Sequence, residues 1–169
     1  MALIRQGRVT ANEWSLATTA EEIQPLGPLY VTPELWTEAR ETLLQSGRPL
    51  GLWLKSDQRP QDVADDIRHF QSIALEFPKF TDGRAYTAAR ILRERLGFTG
   101  ELRAVGQVLR DQLLFMQRCG FDAFELAKEE DAEEWVEALK EFTIWYQSAG
   151  DARTSAARLR GQALQAAAE

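Results

Sequence analysis

The stretch EFPKFTDGRAYTAARILRERLGFTGELRAVGQVLRDQLLFMQRCGFDAFEL, residues 76–126, decides the fold. It passes twice through one pattern: a short apolar run, a polar loop, then a segment with helical spacing. In 83–96, Ala85, Ala88, Ala89, Leu92 and Leu96 form one apolar stripe at helical period. Arg90 and Glu94, four residues apart on another face, are placed to pair. Gly97 and Gly120 stand where a helix end needs a left-handed residue.

The pattern continues outward. Strand Leu50–Leu54 leads to a predicted helix over Pro60–Phe70. Strand Ile73–Phe77 leads to Gly83–Leu96, strand Leu102–Val105 to Gln107–Cys119, and strand Ala123–Leu126 to Ala132–Gln147. Short apolar strands alternating with helices predict right-handed βαβ units and a mainly parallel sheet. Two architectures remain open. The favoured one is an open or partly closed, partial-barrel-like sheet with strands in sequential order, and the other is a doubly wound sheet. A complete eight-unit barrel needs about 250 residues, more than the 169 here.

Before this core, residues 2–10 hold two β-prone runs around Gln6-Gly7, a hairpin signature. Residues 11–27 read as irregular. Leu29–Val31 reads as a short strand, and Thr32-Pro33 opens a helix to about Gln45, closed by Gly47. The expected organisation is one α/β domain: a lead-in over 1–27, the βα core over 28–148, and an Ala-rich C-terminal helix over 149–169. Asp131 with Glu134 resembles a capping box.

Net charge is −6, which argues against general nucleic-acid binding. The balance is local, however. Residues 83–118 carry seven Arg against Glu94, Glu101 and Asp111, whereas 129–134 (EEDAEE) are acidic and read as a solvated helix start. One Cys and one His exclude a disulfide framework, an all-Cys iron–sulfur cluster and a Cys/His zinc site. No metal and no cofactor are expected. Cys119 reads as a buried structural thiol and His69 as structural or exposed. No run is long and apolar enough for a signal or a membrane span, so a cytoplasmic protein is expected.

In parallel α/β folds, function collects at the C-terminal ends of strands. Lys55, Glu76, Arg103 and Glu125 fall in or beside successive strands. Charges there are costly unless paired. They read either as a polar cluster lining a pocket or as rim ion pairs, Lys55–Glu76 and Arg103–Glu125. The loop after Glu76 adds Lys79, Asp82 as a natural N-cap, Gly83, Arg84 and Tyr86. With Arg103 and Arg110 it makes a candidate site for a small anion or a partner carboxylate. Trp135, Leu139, Phe142, Trp145 and Tyr146 form an aromatic stripe, read as core packing or as a docking surface.

GRAYTAARILRERLG followed by GELRAVGQVLRDQLLFMQRCGFDAFEL resembles the domain-of-unknown-function 934 family, whose bacterial members carry the label of oxidoreductases involved in sulfite reduction. The resemblance implies a link to assimilatory sulfite reduction and supplies no catalytic residues. One Cys cannot hold the iron–sulfur cluster that sulfite reduction normally uses, and no glycine fingerprint marks a dinucleotide site. The expectation is therefore an accessory protein. It would bind the sulfite reductase haemoprotein or its electron donor through the Arg-rich face of 83–118 and the aromatic stripe of 132–147. The alternative is a small enzyme acting on an anionic metabolite with Glu76, Asp82, Arg84 and Arg103 in one site.

Overall fold

A computed structural model describes residues 2–23, 26–126, 131–149 and 153–166. Eight strands form one sheet: β1 Ala2–Arg5, β2 Arg8–Ala11, β3 Ser15–Ala17, β4 Leu29–Val31, β5 Leu50–Leu54, β6 Ser72–Phe77, β7 Glu101–Gly106 and β8 Ala123–Glu125. Their order across the sheet is β2-β1-β8-β7-β6-β5-β4-β3. Strands β3 to β8 run parallel and in chain order, whereas β1 is antiparallel to both β8 and β2. This is the favoured of the two expected architectures, a sequential and mainly parallel sheet.

That order has a geometric consequence. The edge strands β2 and β3 are consecutive in the chain, joined only by residues 12–14. Four Cα steps reach at most about 14 Å. A flat eight-strand sheet would separate its edges by about 34 Å. The sheet must therefore curl until its two edges nearly meet, giving a half-barrel with 12–14 strapped across its opening.

Strand alternation sorts side chains between the two faces. Leu52, Leu54, Ile73, Leu75, Phe77, Leu102, Ala104 and Phe124 point to the convex side and join the main core. There they pack beneath α1 Pro33–Gln45, α2 Arg84–Arg90, α3 Leu113–Cys119 and α4 Ala132–Ala138. Leu52 is fully buried, a burial that stabilises the fold by about 2 kcal/mol. Among the described residues, no helix covers the concave face. It gathers Tyr30, Ala74 and Val105 under Trp14 and Trp53.

Local signals hold where chain geometry alone decides. Gln6 and Gly7 both have positive φ, +49° and +73°, as a tight hairpin turn requires. The Thr32 hydroxyl accepts from the Leu35 amide, with Pro33 at the first helical position. Arg90 Nε donates to Glu94 at 3.0 Å.

Helix extents depart from expectation in several places. Pro60–Phe70 is two 3-10 turns, Pro60–Val63 and Ile67–His69, not one helix. Asp66 accepts from Trp36 Nε1 at 2.9 Å and Arg40 Nη2 at 2.8 Å, tertiary bonds that hold the turn open. The predicted helix 83–96 is α-helical over Arg84–Arg90 and then widens by one residue over Ile91–Arg95. The widened turn is where Arg93 bonds the carbonyls of Phe98, Gly100 and Gly120. The predicted helix 107–119 begins only at a 3-10 turn, Arg110–Gln112, because Gly106 at φ +89° redirects the chain. The predicted helix 132–147 ends at Ala138. Beyond it, Phe142-Thr143-Ile144-Trp145-Tyr146 is a run of poor helix formers. Residues 11–27 are not wholly irregular, since β3 lies within them. The C-terminal helix is α5 Ala156–Ala166. Asp131 makes no capping bond, and Glu134 pairs with Arg110 instead. Glu129 and Glu130 of the acidic run lie outside the described residues.

Candidate functional site

The candidate residues separate into three places. The first is a cleft of about 340 Å³ at the C-terminal ends of β5 and β6. Leu54, Leu75, Ala85 and Pro60 are its buried apolar floor, and Lys55, Ser56, Arg84 and Thr87 are part of its rim. Arg84 is pinned there. Its Nε donates to Asp82 Oδ1 at 2.9 Å, and its Nη2 donates to Asp82 Oδ2 at 2.6 Å and to Ser56 Oγ at 2.9 Å. The Arg84 side chain and backbone amide, both donating to Asp82, hold that carboxyl well below the usual carboxylate range. Gly83, not Asp82, occupies the N-cap position of α2, because Asp82 is turned onto Arg84. Lys79 is exposed on the loop, its carbonyl accepting from the Asp82 amide.

Glu76 also lines this cleft, but its carboxylate is 3.5 Å from Trp53 Nε1 on the concave side. The expected Lys55–Glu76 ion pair does not form. Glu76 is one residue out of phase with the convex-facing Leu75 and Phe77, so the pleat directs it away from the helices.

The second place is the concave interior, where Arg103 is 1% exposed. Its Nε donates to Glu101 Oε1 at 2.9 Å and its Nη1 to Asn12 Oδ1 at 2.8 Å. Its Nη2 lies 2.8 Å from Glu101 Oε1 at an angle too poor for a hydrogen bond. The guanidinium sits 5.2 Å from the Tyr30 ring and 5.9 Å from the Trp14 ring. Glu101 accepts further bonds from Arg5 and Ser72, and Ser72 bonds the Tyr30 hydroxyl. Burial pushes the Tyr30 phenol up. The expected Arg103–Glu125 pair is replaced by a relay: Asn12 accepts from Arg103 and donates to Glu125 at 3.3 Å. Arg103 therefore does not join Arg84, and the four-residue site Glu76–Asp82–Arg84–Arg103 is not assembled. Arg110 is also apart, bonded to Glu134 at 3.0 Å.

The third place is a groove of about 520 Å³ between α2, α3 and the segment 145–149. Tyr86, Arg90, Phe115, Arg118, Cys119, Trp145 and Tyr146 line it. Tyr86 packs edge-on against Phe77 and Phe115, so it serves this groove and not the cleft. Arg118 lies 4.6 Å over the Trp145 ring. The aromatic stripe divides. Trp135 and Leu139 are core, whereas Phe142, Ile144 and Tyr146 are exposed by 51%, 63% and 88%. Cys119 is buried, as expected for a structural thiol. His69 is 4.0 Å from Asp66 and stacks near Trp36.

Over residues 51–157, most of the chain, the sequence matches a family model described as a bacterial protein of unknown function, the domain-of-unknown-function 934 family. The chain belongs to this family. The match starts at Gly51 in β5 and takes in the cleft, the groove and Arg103, but not the strap that carries Asn12 and Trp14. A comparison with curated proteins finds no match. Among the described residues, no helix is long and apolar enough to cross a membrane. No group of three or more His, Cys, Asp or Glu side chains is placed to hold a metal there either.

Ser56, Thr87, Asn12 and Ser72 escaped the sequence reading. All four are small polar residues whose roles depend on tertiary partners.

Proposed function

We propose that this family member is an accessory protein of assimilatory sulfite reduction that docks on the sulfite reductase haemoprotein. The observation that supports docking is the groove between α2, α3 and 145–149. The Arg-rich helical face and the aromatic stripe, separate in sequence, meet there. Exposed aromatics together with Arg are the residue types enriched at protein interfaces. The rim is basic on a chain whose net charge is −6, so the matching surface on the partner is acidic and apolar. The link to sulfite reduction rests on the family resemblance, and the single cysteine favours assisting the reductase over housing its cluster.

The test is a pull-down from native lysate of a sulfate-grown cell, with an absorption spectrum of the captured material. Sirohaem absorbance travelling with this colourless chain is the expected result, with slow growth of the deletion strain on sulfate that cysteine rescues. Capture of the electron donor without haemoprotein, or normal growth on sulfate under reductase-limiting conditions, would overturn the proposal.

A further inference from the structure

We propose that the cleft at the ends of β5 and β6 is a binding site for a small organic acid with a short apolar body. The cleft and the docking groove flank α2 and share Thr87, but the inference does not depend on the reading of that groove.

The cleft has two chemically distinct halves. Along α2, Arg84, Ala88 and Ile91 fall at positions i, i+4 and i+7, one helical face, and all three line it. From Arg84 to Ile91 this face runs about 10 Å. The Arg84 end is polar. Ser56 Oγ touches the guanidinium at 2.9 Å, and Lys55 follows β5 directly on the same rim. The far end is apolar, with Ala88 and Ile91 on the helix facing Leu54, Leu75 and Pro60. The volume of about 340 Å³ lies at the small end of the range for ligand sites.

The charge pattern selects an anion for the polar end. Asp82 engages Arg84 through Nε and Nη2 and so fixes the guanidinium plane, leaving the Nη1 edge as the donor for a second oxyanion. Lys55 makes no ion pair within 4 Å among the described residues; its electrostatic partner is Glu34, which is itself bonded to Gln58. Of the other charged lining groups, Arg59 is tied to Asp62 at 2.7 Å, Glu76 is turned to Trp53, and Asp57 is exposed. A ligand carboxylate or comparable oxyanion would therefore meet Lys55 and Arg84, with its carbon body along Ala88 and Ile91.

The experiment is amide-resolved NMR on the full chain with hexanoate, and with hexylammonium as the opposite-charge probe of equal length. Hexanoate is expected to shift the amides of 54–61 and 84–91 saturably, and hexylammonium is expected to leave them in place. Arg84→Gln should weaken hexanoate about tenfold, and Ala88→Trp, which fills the apolar half, should abolish binding. The folded spectrum elsewhere confirms that each variant is native. Absence of saturable shifts, equal response to hexylammonium, or full binding by Ala88→Trp would overturn the assignment. Shifts that are non-saturable, or confined to residues outside the cleft, would overturn it equally.

Discussion

Asn12 Oδ1 accepts from Arg103 Nη1 at 2.8 Å across ninety-one residues of sequence. One partner lies in the strap joining the two edge strands, and the other lies deep in the concave face of β7. The same bond ties the strap to the barrel wall and satisfies part of a charge that has almost no access to water.

Removing that charge should therefore be costly. Arg103→Met leaves Glu101 beside Ser72 with only the half-exposed Arg5 as countercharge, and breaking a buried pair costs up to about 3–5 kcal/mol. Urea unfolding measures this directly. Adding Glu101→Gln to the Met variant should recover part of the loss, because the remaining group no longer needs a cation. A single variant within about 0.5 kcal/mol of the parent would mean the network is mechanically idle.

Asp122 gives a pH signature. Burial pushes its carboxyl up to about 6, outweighing the Arg93 guanidinium 3.0 Å away. The ordinary value is about 3.9, so the folded state holds this proton more tightly than the unfolded state does. The resulting stability is fully present below about pH 4 and is lost as pH rises through about 6. Denaturation midpoints between those values should fall with rising pH in the parent protein. They should flatten in Asp122→Asn. Asp66 and Asp82, whose carboxyls are lowered, act below this window. A parallel slope in both proteins would assign the effect elsewhere.

Two glycines should respond with opposite sign. Gly106 has φ +89°, and a Cβ there would sit 2.5 Å from the Phe77 carbonyl oxygen. Gly106→Ala should cost about 1–3 kcal/mol. Gly161 lies inside α5 with open space around its Cβ position, so Gly161→Ala should add up to about 1 kcal/mol. Thermal melts of the two variants, run together, check both signs.

The exposed aromatics predict a separation of binding from stability. Phe115→Ser and Tyr146→Ser, both exposed and both lining the groove, remove little core contact and should leave unfolding within about 0.5 kcal/mol of the parent. They should abolish haemoprotein capture in the pull-down. Full capture by the double variant would remove the groove from consideration as the docking surface.

Much of the sheet was legible because its strands are local objects. Leu50–Leu54 matches an uninterrupted apolar run, and Gln6-Gly7 marks its hairpin by turn chemistry alone. Three-residue β3 has no period to read, and only its pairing with β4 makes it a strand. Helix lengths are not legible where tertiary bonds intervene: Asp66 turns toward Trp36 and Arg40, and Arg93 clamps three carbonyls. The candidate charges were found, but not their company. Depth along the strand is legible for Glu76 and Arg103, whereas the pleat decides which side of the sheet each one faces. Arg103 met Asn12 and Glu101 instead of Arg84 for that reason.

The pairing of β1 with β8 also sets a clock. Ala2, Leu3 and Ile4 lodge only when Ala123–Glu125 exist to receive them. At a synthesis rate of about 5–20 residues per second, that partner arrives on the order of ten seconds after the first strand. Strand β1, already paired with β2, thus waits for about 120 further residues before its second neighbour exists, and the strap can draw the half-barrel shut only afterwards.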